Sequence, residues 1–215
     1  MSEFKITLVD YGGSNLRSVE KAFEAIGARV CVTNEPAVVA RAERLVLPGV
    51  GAFGAGMDAL RTAGLDEATI AAVDGGTPLL GICLGMQLLF DESEELGRHA
   101  GLGLLAGRVV RFNGLSAPDG RPLKVPHIGW NELLHDAEHP LLASVHSGAH
   151  AYFVHSYYCA PDDPAVVLSR SKYGRPFPAI VGRGRVFGFQ FHPEKSQSVG
   201  LRLLRNFATL EIDGL

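Results

Sequence analysis

The sequence predicts an α/β fold with a mainly parallel, partly mixed central sheet and flanking helices. Three observations lead there. The first half alternates short β-rich runs with amphipathic helical patterns, the arrangement of parallel strands joined by helical crossovers. Pro78–Ile82 is a continuous apolar run, as expected of a strand buried on both faces. From Leu104 onward the pattern becomes strands separated by Gly, Pro and Asn, which adds antiparallel partners.

Lys5–Val9 is the first strand. Leu16, Val19, Ala22, Phe23 and Ile26 recur at helical spacing, so Leu16–Ile26 reads as a helix that Gly27 ends. Arg29–Thr33 and Arg44–Leu47 follow as strands, the latter running into PGVGAFG. A helix is expected over Ala55–Val73, and helical spacing resumes over Leu84–Phe90, immediately after Cys83. Strands are then expected at Leu104–Phe112, Asn131–His135, Ala151–Tyr158, Ala165–Ser169, Pro178–Val181 and Val186–Gln190. Val199, Leu203, Leu204, Phe207 and Ala208 mark a closing helix over Val199–Leu210. No long linker or low-complexity segment divides the chain, so residues 1–215 are expected to form one domain, in keeping with roughly 100–200 residues per domain.

Composition narrows the function. Twenty Lys plus Arg against 23 Asp plus Glu leave a net charge of −3, which supplies no field for gathering a phosphate backbone, so nucleic acid is not an expected ligand. MSEFKITLVDYGG lacks the parts of a signal peptide, and no run of eighteen apolar residues occurs, so a cytoplasmic protein without a membrane partner is expected. Three cysteines without a CxxC pair fit neither a disulfide framework nor a zinc site, and neither metal nor organic cofactor is expected. Cys31 and Cys159 lie in strand-like sequence and read as packing. The H-x3-H pairs His135/His139 and His146/His150 lack the helix and the Glu or Cys partners of a metal site and read as surface residues. His127 and His155 stand in better-ordered sequence and read as structural hydrogen-bonders or as groups behind a site. Glycine, at 26 of 215 residues, exceeds the typical ~7% and clusters in short loops, where chemistry is often placed.

Gly81-Ile82-Cys83-Leu84-Gly85 has the form G-x-C-x-G between a buried strand and a helix. A nucleophile on such a turn needs small neighbours, because its backbone is strained and side chains beside it would collide with the flanking elements. A helix N-terminus also favours the thiolate, and Cys at about 8.5 falls to roughly 3.5–7.5 in such settings. A base or imidazolium partner oriented by a third group is then required. His192-Pro193-Glu194 offers both at a strand end, and in an extended stretch the two side chains would point the same way, with Pro193 stiffening the span. Pro48-Gly49-Val50-Gly51 lacks the Lys and Ser/Thr of a phosphate loop, but its amides suit an oxyanion hole for acyl transfer. Taken singly, these features also fit a small buried thiol, a surface His–Glu pair and a glycine-rich turn; together they suggest a cysteine-based catalytic triad.

PGVGAFG, GICLGMQLLF and FGFQFHPEKS, in that order and spanning nearly the whole chain, resemble the class I (triad) glutamine amidotransferases. The resemblance implies that Cys83 attacks the side-chain amide of glutamine, that His192 protonates the departing ammonia and later activates water, and that Glu194 orients His192. It implies that Gly49, Val50 and Gly51 contact substrate as the oxyanion loop, that Gln87 holds the substrate's polar end, and that Ser156 and Tyr157 contact it through their backbone. YGGSNLRSV, KVPHIGWN and Lys195 are similar to the histidine-pathway branch of the family, whose usual Gly is Ser14 here. In that branch ammonia passes to a (β/α)8-barrel cyclase subunit, a heterodimer partner. The cyclase uses it to convert a phosphoribosyl-formimino aminoimidazole carboxamide ribonucleotide into imidazole glycerol phosphate and an aminoimidazole ribonucleotide. Asn15, Trp130 and Lys195 are then expected at the partner interface, with Trp130 in an interface loop. With the last residue at Leu215, the acceptor chemistry is expected on another polypeptide. The rival readings are a glutaminase for anthranilate or para-aminobenzoate synthesis, a cysteine hydrolase acting alone, and a non-catalytic scaffold.

Overall fold

The computed structural model describes residues 4–12 and 15–211. Ser14 therefore lies outside the described residues. The first half runs β1 (Lys5–Val9), α1 (Leu16–Ala25), β2 (Arg29–Thr33), α2 (Pro36–Val39), β3 (Leu45–Gly49), α3 (Phe53–Thr62), α4 (Leu65–Asp74), β4 (Leu79–Cys83) and α5 (Leu84–Leu88). The second half runs β5 (Phe90–Ser93), β6 (His99–Ala100), β7 (Leu105–Arg111), β8 (His127–Leu133), β9 (Ala149–His155), β10 (Tyr157–Pro161), β11 (Val167–Tyr173), β12 (Arg175–Arg183), β13 (Val186–Phe189) and α6 (Gln197–Thr209).

Among the described residues the main sheet has seven strands in the order β11-β12-β13-β4-β3-β1-β2. β2, β1, β3, β4 and β13 run parallel to one another, while β12 and β11 extend the sheet antiparallel, so the sheet is mainly parallel and partly mixed. Its side chains alternate between two apolar layers. Ile6, Leu8, Val46, Leu80 and Ile82 meet Val19 and Phe23 of α1 and Leu203, Leu204 and Phe207 of α6. Val9, Leu45, Leu47 and Leu79 pack with Phe53, Met57 and Leu60 of α3 and Leu65, Ala68 and Ala72 of α4. A four-stranded sheet, β10-β7-β5-β6, and the β8–β9 hairpin complete the fold. No helix of the described residues is long and apolar enough to cross a membrane.

The structure revises several boundaries. The helix expected over Ala55–Val73 is two helices, α3 and α4, because Gly64 takes φ +66°, the left-handed region that ends a helical run. Helical spacing after Cys83 lasts only to Leu88; Phe90 is a buried strand residue, since Leu88-Leu89-Phe90 is a short apolar run that fits either period. Ala151–Tyr158 divides at Ser156 into β9 and β10, which belong to different sheets. The strand predicted at Asn131–His135 begins at His127, where pairing with His155 opens the β8–β9 ladder. Trp130 is thus a strand residue rather than a loop residue, with 46% of its surface exposed. Cys31 is exposed on the edge strand β2, which corrects its reading as packing, whereas Cys159 is buried as expected.

Parallel pairing of β3, β4 and β13 brings their carboxyl ends to one edge of the sheet. Gly49 is opposite Cys83 and Phe189 opposite Ile82, so the PGVG loop, the Cys83 turn and the chain leading to His192 leave the sheet together. Open α/β sheets bind ligands outside such carboxyl ends.

Candidate active site

Cys83 ends β4 and precedes α5 with φ +56° and ψ −110°, a conformation that side-chain-bearing residues rarely adopt. The glycines of G-x-C-x-G make that turn possible. A Cβ at Gly81 would lie 2.6 Å from the Gly85 carbonyl oxygen, and a Cβ at Gly85 would overlap the Leu47 carbonyl of β3. Gly85→Ala is expected to destabilise the protein at or above the upper end of the ~1–3 kcal/mol typical of overpacking, since the obstacle is backbone rather than a movable side chain. Denaturant unfolding checks it; an unchanged midpoint would show that the elbow relaxes without cost.

His192 lies in extended backbone before a 3₁₀ turn over Pro193–Lys195. This turn, not an extended stretch, brings Glu194 back onto the imidazole: His192 Nδ1 and Glu194 Oε1 are 2.8 Å apart, and both side chains are almost fully buried. Ser196 anchors the segment, since its hydroxyl donates to the His192 carbonyl at 2.6 Å and accepts from the Tyr152 amide of β9 at 3.0 Å. The His192 amide in turn donates to the Tyr152 carbonyl at 2.9 Å. With Nδ1 committed to Glu194, Nε2 is the nitrogen left for Cys83. Burial pulls the imidazole down, but hydrogen bonds to Cys83 and Glu194, and the charges of both, outweigh it and push His192 up to about 10.

Cys83 and His192 line a cavity of about 360 Å³ together with Val50, Gly51, Gln87, Ser156, Tyr157 and Lys195. Gly49 stands beside Cys83 in the β3–β4 register, and Glu194 sits behind His192. Gln87 is buried on α5, and its amide nitrogen donates to the Tyr157 carbonyl at 3.1 Å and to Gln190 Oε1 at 3.2 Å. Asn15 and Trp130 lie outside the cavity. Asn15 precedes α1 and accepts from the Ser18 hydroxyl at 3.0 Å. Trp130 meets the Tyr152 ring edge-on at 5.9 Å, and Lys195 Nζ stands 5.9 Å over the same ring. A larger cavity of about 740 Å³ at His135–Val145 contains none of these groups. No described group of three or more His, Cys, Asp or Glu side chains could hold a metal ion.

Two contributors escape the sequence reading. Glu95 reaches the cavity wall from the β5–β6 connection, with Oε2 accepting from the Phe53 amide at the start of α3 at 2.7 Å. Tyr11 is buried close enough that burial and the Cys83 charge push its phenol well up. Glu95 sits in no motif, whereas Tyr11 opens YGGSNLRSV, a segment that carries no sign of a place beside Cys83.

The family model described as glutamine amidotransferase class-I matches residues 7–210. Among curated proteins, the chain is 53% identical over 205 residues to the "Imidazole glycerol phosphate synthase subunit HisH" of Syntrophotalea carbinolica, covering 95% of this chain and 100% of that one. The protein of the same name from Geobacillus thermodenitrificans is 54% identical over 202 residues, 94% of each chain. Among solved structures, "Crystal structure of glutamine amidotransferase" aligns with a TM-score of 0.73 at 22% identity, over 97% of this chain and 99% of that chain, which shows a shared fold.

Proposed function

Because the chain belongs to the class-I glutamine amidotransferases, we propose that residues 1–215 act as one glutaminase domain in which Cys83, His192 and Glu194 are the catalytic triad. The protein is the glutaminase subunit of imidazole glycerol phosphate synthase, a glutamine-hydrolysing enzyme of histidine biosynthesis. The observation that carries the triad is His192, held by Glu194 at 2.8 Å, lining the same cavity as Cys83, a cavity sized for a small amino acid.

In this mechanism Cys83 Sγ attacks the side-chain amide carbon of glutamine. The carbonyl oxygen becomes an oxyanion facing the Leu84 amide, the first after the nucleophile, and the amides of the Gly49–Gly51 loop. The tetrahedral intermediate collapses with cleavage of the C–N bond, and His192 gives its proton to the leaving nitrogen, which departs as ammonia. The γ-glutamyl thioester remains. His192, now neutral, takes a proton from water as the water attacks the thioester, and glutamate leaves while the sulfur regains its initial form. Glu194 keeps the imidazole oriented and stabilises its charged form. Glu95 places a carboxylate where it can pair with the α-ammonium of glutamine, and Ser156 and Tyr157 line the same cavity.

The partner is a (β/α)8-barrel cyclase subunit, and the pair works in the cytoplasm on glutamine, without nucleic acid, membrane, metal or organic cofactor. Ile128 and Trp130 project from one face of β8, with 60% and 46% of their surfaces exposed. Lys195 and Trp130 both touch Tyr152, so a surface adjoining the cavity carries an apolar patch and a cation suited to docking. Asn15 extends this reading at the start of α1.

A glutaminase that feeds another subunit would waste glutamine if it turned over freely, so its oxyanion hole is expected to be complete only in the loaded complex. One missing oxyanion donor is worth about 10²–10³ in rate. The isolated chain should therefore turn over glutamine at least ~10²-fold more slowly than the complex carrying the cyclase's ribonucleotide. Steady-state glutamate release with and without partner and ribonucleotide measures this. Equal rates would overturn the coupling and leave a hydrolase that acts alone.

A further inference from the structure

From His155, which lines the cavity beside Ser156 and Tyr157, a line of hydrogen bonds runs outward through His127 to Asn131, and its two ends fix the role of every ring nitrogen between them. Asn131 Nδ2 donates to the Lys172 carbonyl at 2.9 Å and faces His127 Nε2 at 3.3 Å. An amide nitrogen can only donate, so His127 Nε2 is the acceptor and the ring proton sits on Nδ1. That Nδ1 faces His155 Nε2 at 3.1 Å, which makes Nε2 an acceptor and places the His155 proton on Nδ1. His155 Nδ1 faces the Tyr157 carbonyl at 2.8 Å, and a carbonyl can only accept. Both ends of the line therefore require the same pair of tautomers. A further proton on either ring would set two donors against each other.

We propose that His127 and His155 are positioning residues, a pair of neutral imidazoles that holds the Tyr157 carbonyl and, through it, the Ser156–Tyr157 strand against bound glutamine. The same carbonyl accepts from Gln87 Nε2 at 3.1 Å, so two buried donors converge on Tyr157, which lines the cavity beside Ser156. The rings have little room to turn. His127 stacks between Tyr173 and Phe153, with centroids at 4.1 and 5.2 Å, and His155 lies 5.0 Å from Phe177 and 5.2 Å from Phe112. Burial pushes both imidazoles down, His127 to about 4 and His155 to about 3; for His155 the bond to the Tyr157 carbonyl pulls the other way, and the neighbouring His127 and His192 lower it again. The site's proton thus belongs to His192. At its outer end the line begins at Asn131, next to the exposed Trp130 on β8, so one strand carries both the docking face and the support of the substrate floor.

This assignment rests on the glutaminase reading, and two measurements separate the two. His155→Phe retains an aromatic ring of similar size but donates nothing to Tyr157. In the loaded complex its KM for glutamine should rise about tenfold, the factor for one buried hydrogen bond, while kcat stays within about threefold. His155→Gln, which can both donate and accept, should recover most of that loss. An unchanged KM in His155→Phe, or a loss confined to kcat, would overturn the positioning role. The second measurement needs neither activity nor a variant. In the wild-type chain labelled with 15N-histidine, the ring-nitrogen shifts at pH 7.5 should show both residues neutral with the proton on Nδ1. A charged ring, or a proton on Nε2 of either, would overturn the assignment even if His155→Phe fails to fold. A wild-type complex that lacks glutaminase activity but shows these tautomers would refute the functional reading alone.

Discussion

Cys83→Ala is expected to abolish glutamine-dependent synthesis by the complex, by a factor on the order of 10⁴ or more, while synthesis from added ammonium salt is retained. The asymmetry follows from the division of labour between subunits. Alanine removes the sulfur that forms the thioester, and no other cysteine can replace it, because Cys159 is buried outside the cavity lining and Cys31 is exposed on an edge strand. In the proposed complex the acceptor chemistry resides on the partner, which can take its ammonia from either source. The fold should survive, since alanine is smaller than cysteine and the flanking glycines that allow the elbow are untouched. Its positive φ becomes no harder to reach than it was for cysteine. The check is paired initial rates with glutamine and with ammonium chloride, together with the unfolding midpoint. Retained glutaminase activity in the variant would remove Cys83 as nucleophile, and loss of both rates would indicate a damaged complex.

How far the site is legible in the sequence depends on whether its geometry is local. Cys83 is legible because the constraints on a tight strand-to-helix turn appear within five residues: Gly81 and Gly85 meet backbone where any side chain would collide. The pairing of His192 with Glu194 is legible for the same reason, although an extended stretch is the wrong conformation to infer. Proline at the first position of a short helical turn carries the carboxylate back onto the ring. Glu95 could not be found this way. Its place depends on how the β5–β6 connection folds back onto the start of α3, 42 residues earlier in the chain. The His127–His155 line is equally non-local, joining residues 28 apart through the β8–β9 register.

The fold shows the same division. The parallel half follows from period and composition, because strands buried on both faces and amphipathic crossovers leave strong one-dimensional traces. In the second half the strands near Leu104–Phe112, Pro178–Val181 and Val186–Gln190 and the closing helix are legible too, but not which sheet each strand joins. Ala151–Tyr158 reads as one β-rich run, yet Ser156 is where the chain leaves the β8–β9 hairpin and enters the sheet with β7. That crossing places Ser156 and Tyr157 at the cavity, so the feature least visible in the sequence is also one that builds the candidate substrate floor.

His192→Ala is expected to reduce glutaminase turnover about 10²–10⁴-fold, the usual contribution of general acid–base catalysis. The loss falls on both half-reactions, because an amide nitrogen leaves poorly unless it is protonated as the C–N bond breaks, and the same imidazole then takes a proton from the water that attacks the thioester. A second signature follows from linkage. The folded-state value is about 10 against an ordinary 6.5, so the native state binds the proton more tightly than the unfolded chain does. The resulting stabilisation is full below about 6.5 and declines as pH rises, vanishing as pH passes through about 10. Unfolding free energy of the wild-type chain should fall across that window, and His192→Ala should flatten the fall. Glu194 supplies part of the shift, so Glu194→Gln should flatten it partially and cost less activity than His192→Ala. Urea titrations at pH 6, 8 and 10, run beside glutamate-release assays of the loaded complex, test both effects. Wild-type turnover in His192→Ala would remove the triad. A pH slope identical to wild type would show that the imidazole is not protonated through its contacts with Cys83 and Glu194, and the acid that releases ammonia would have to be sought elsewhere in the cavity.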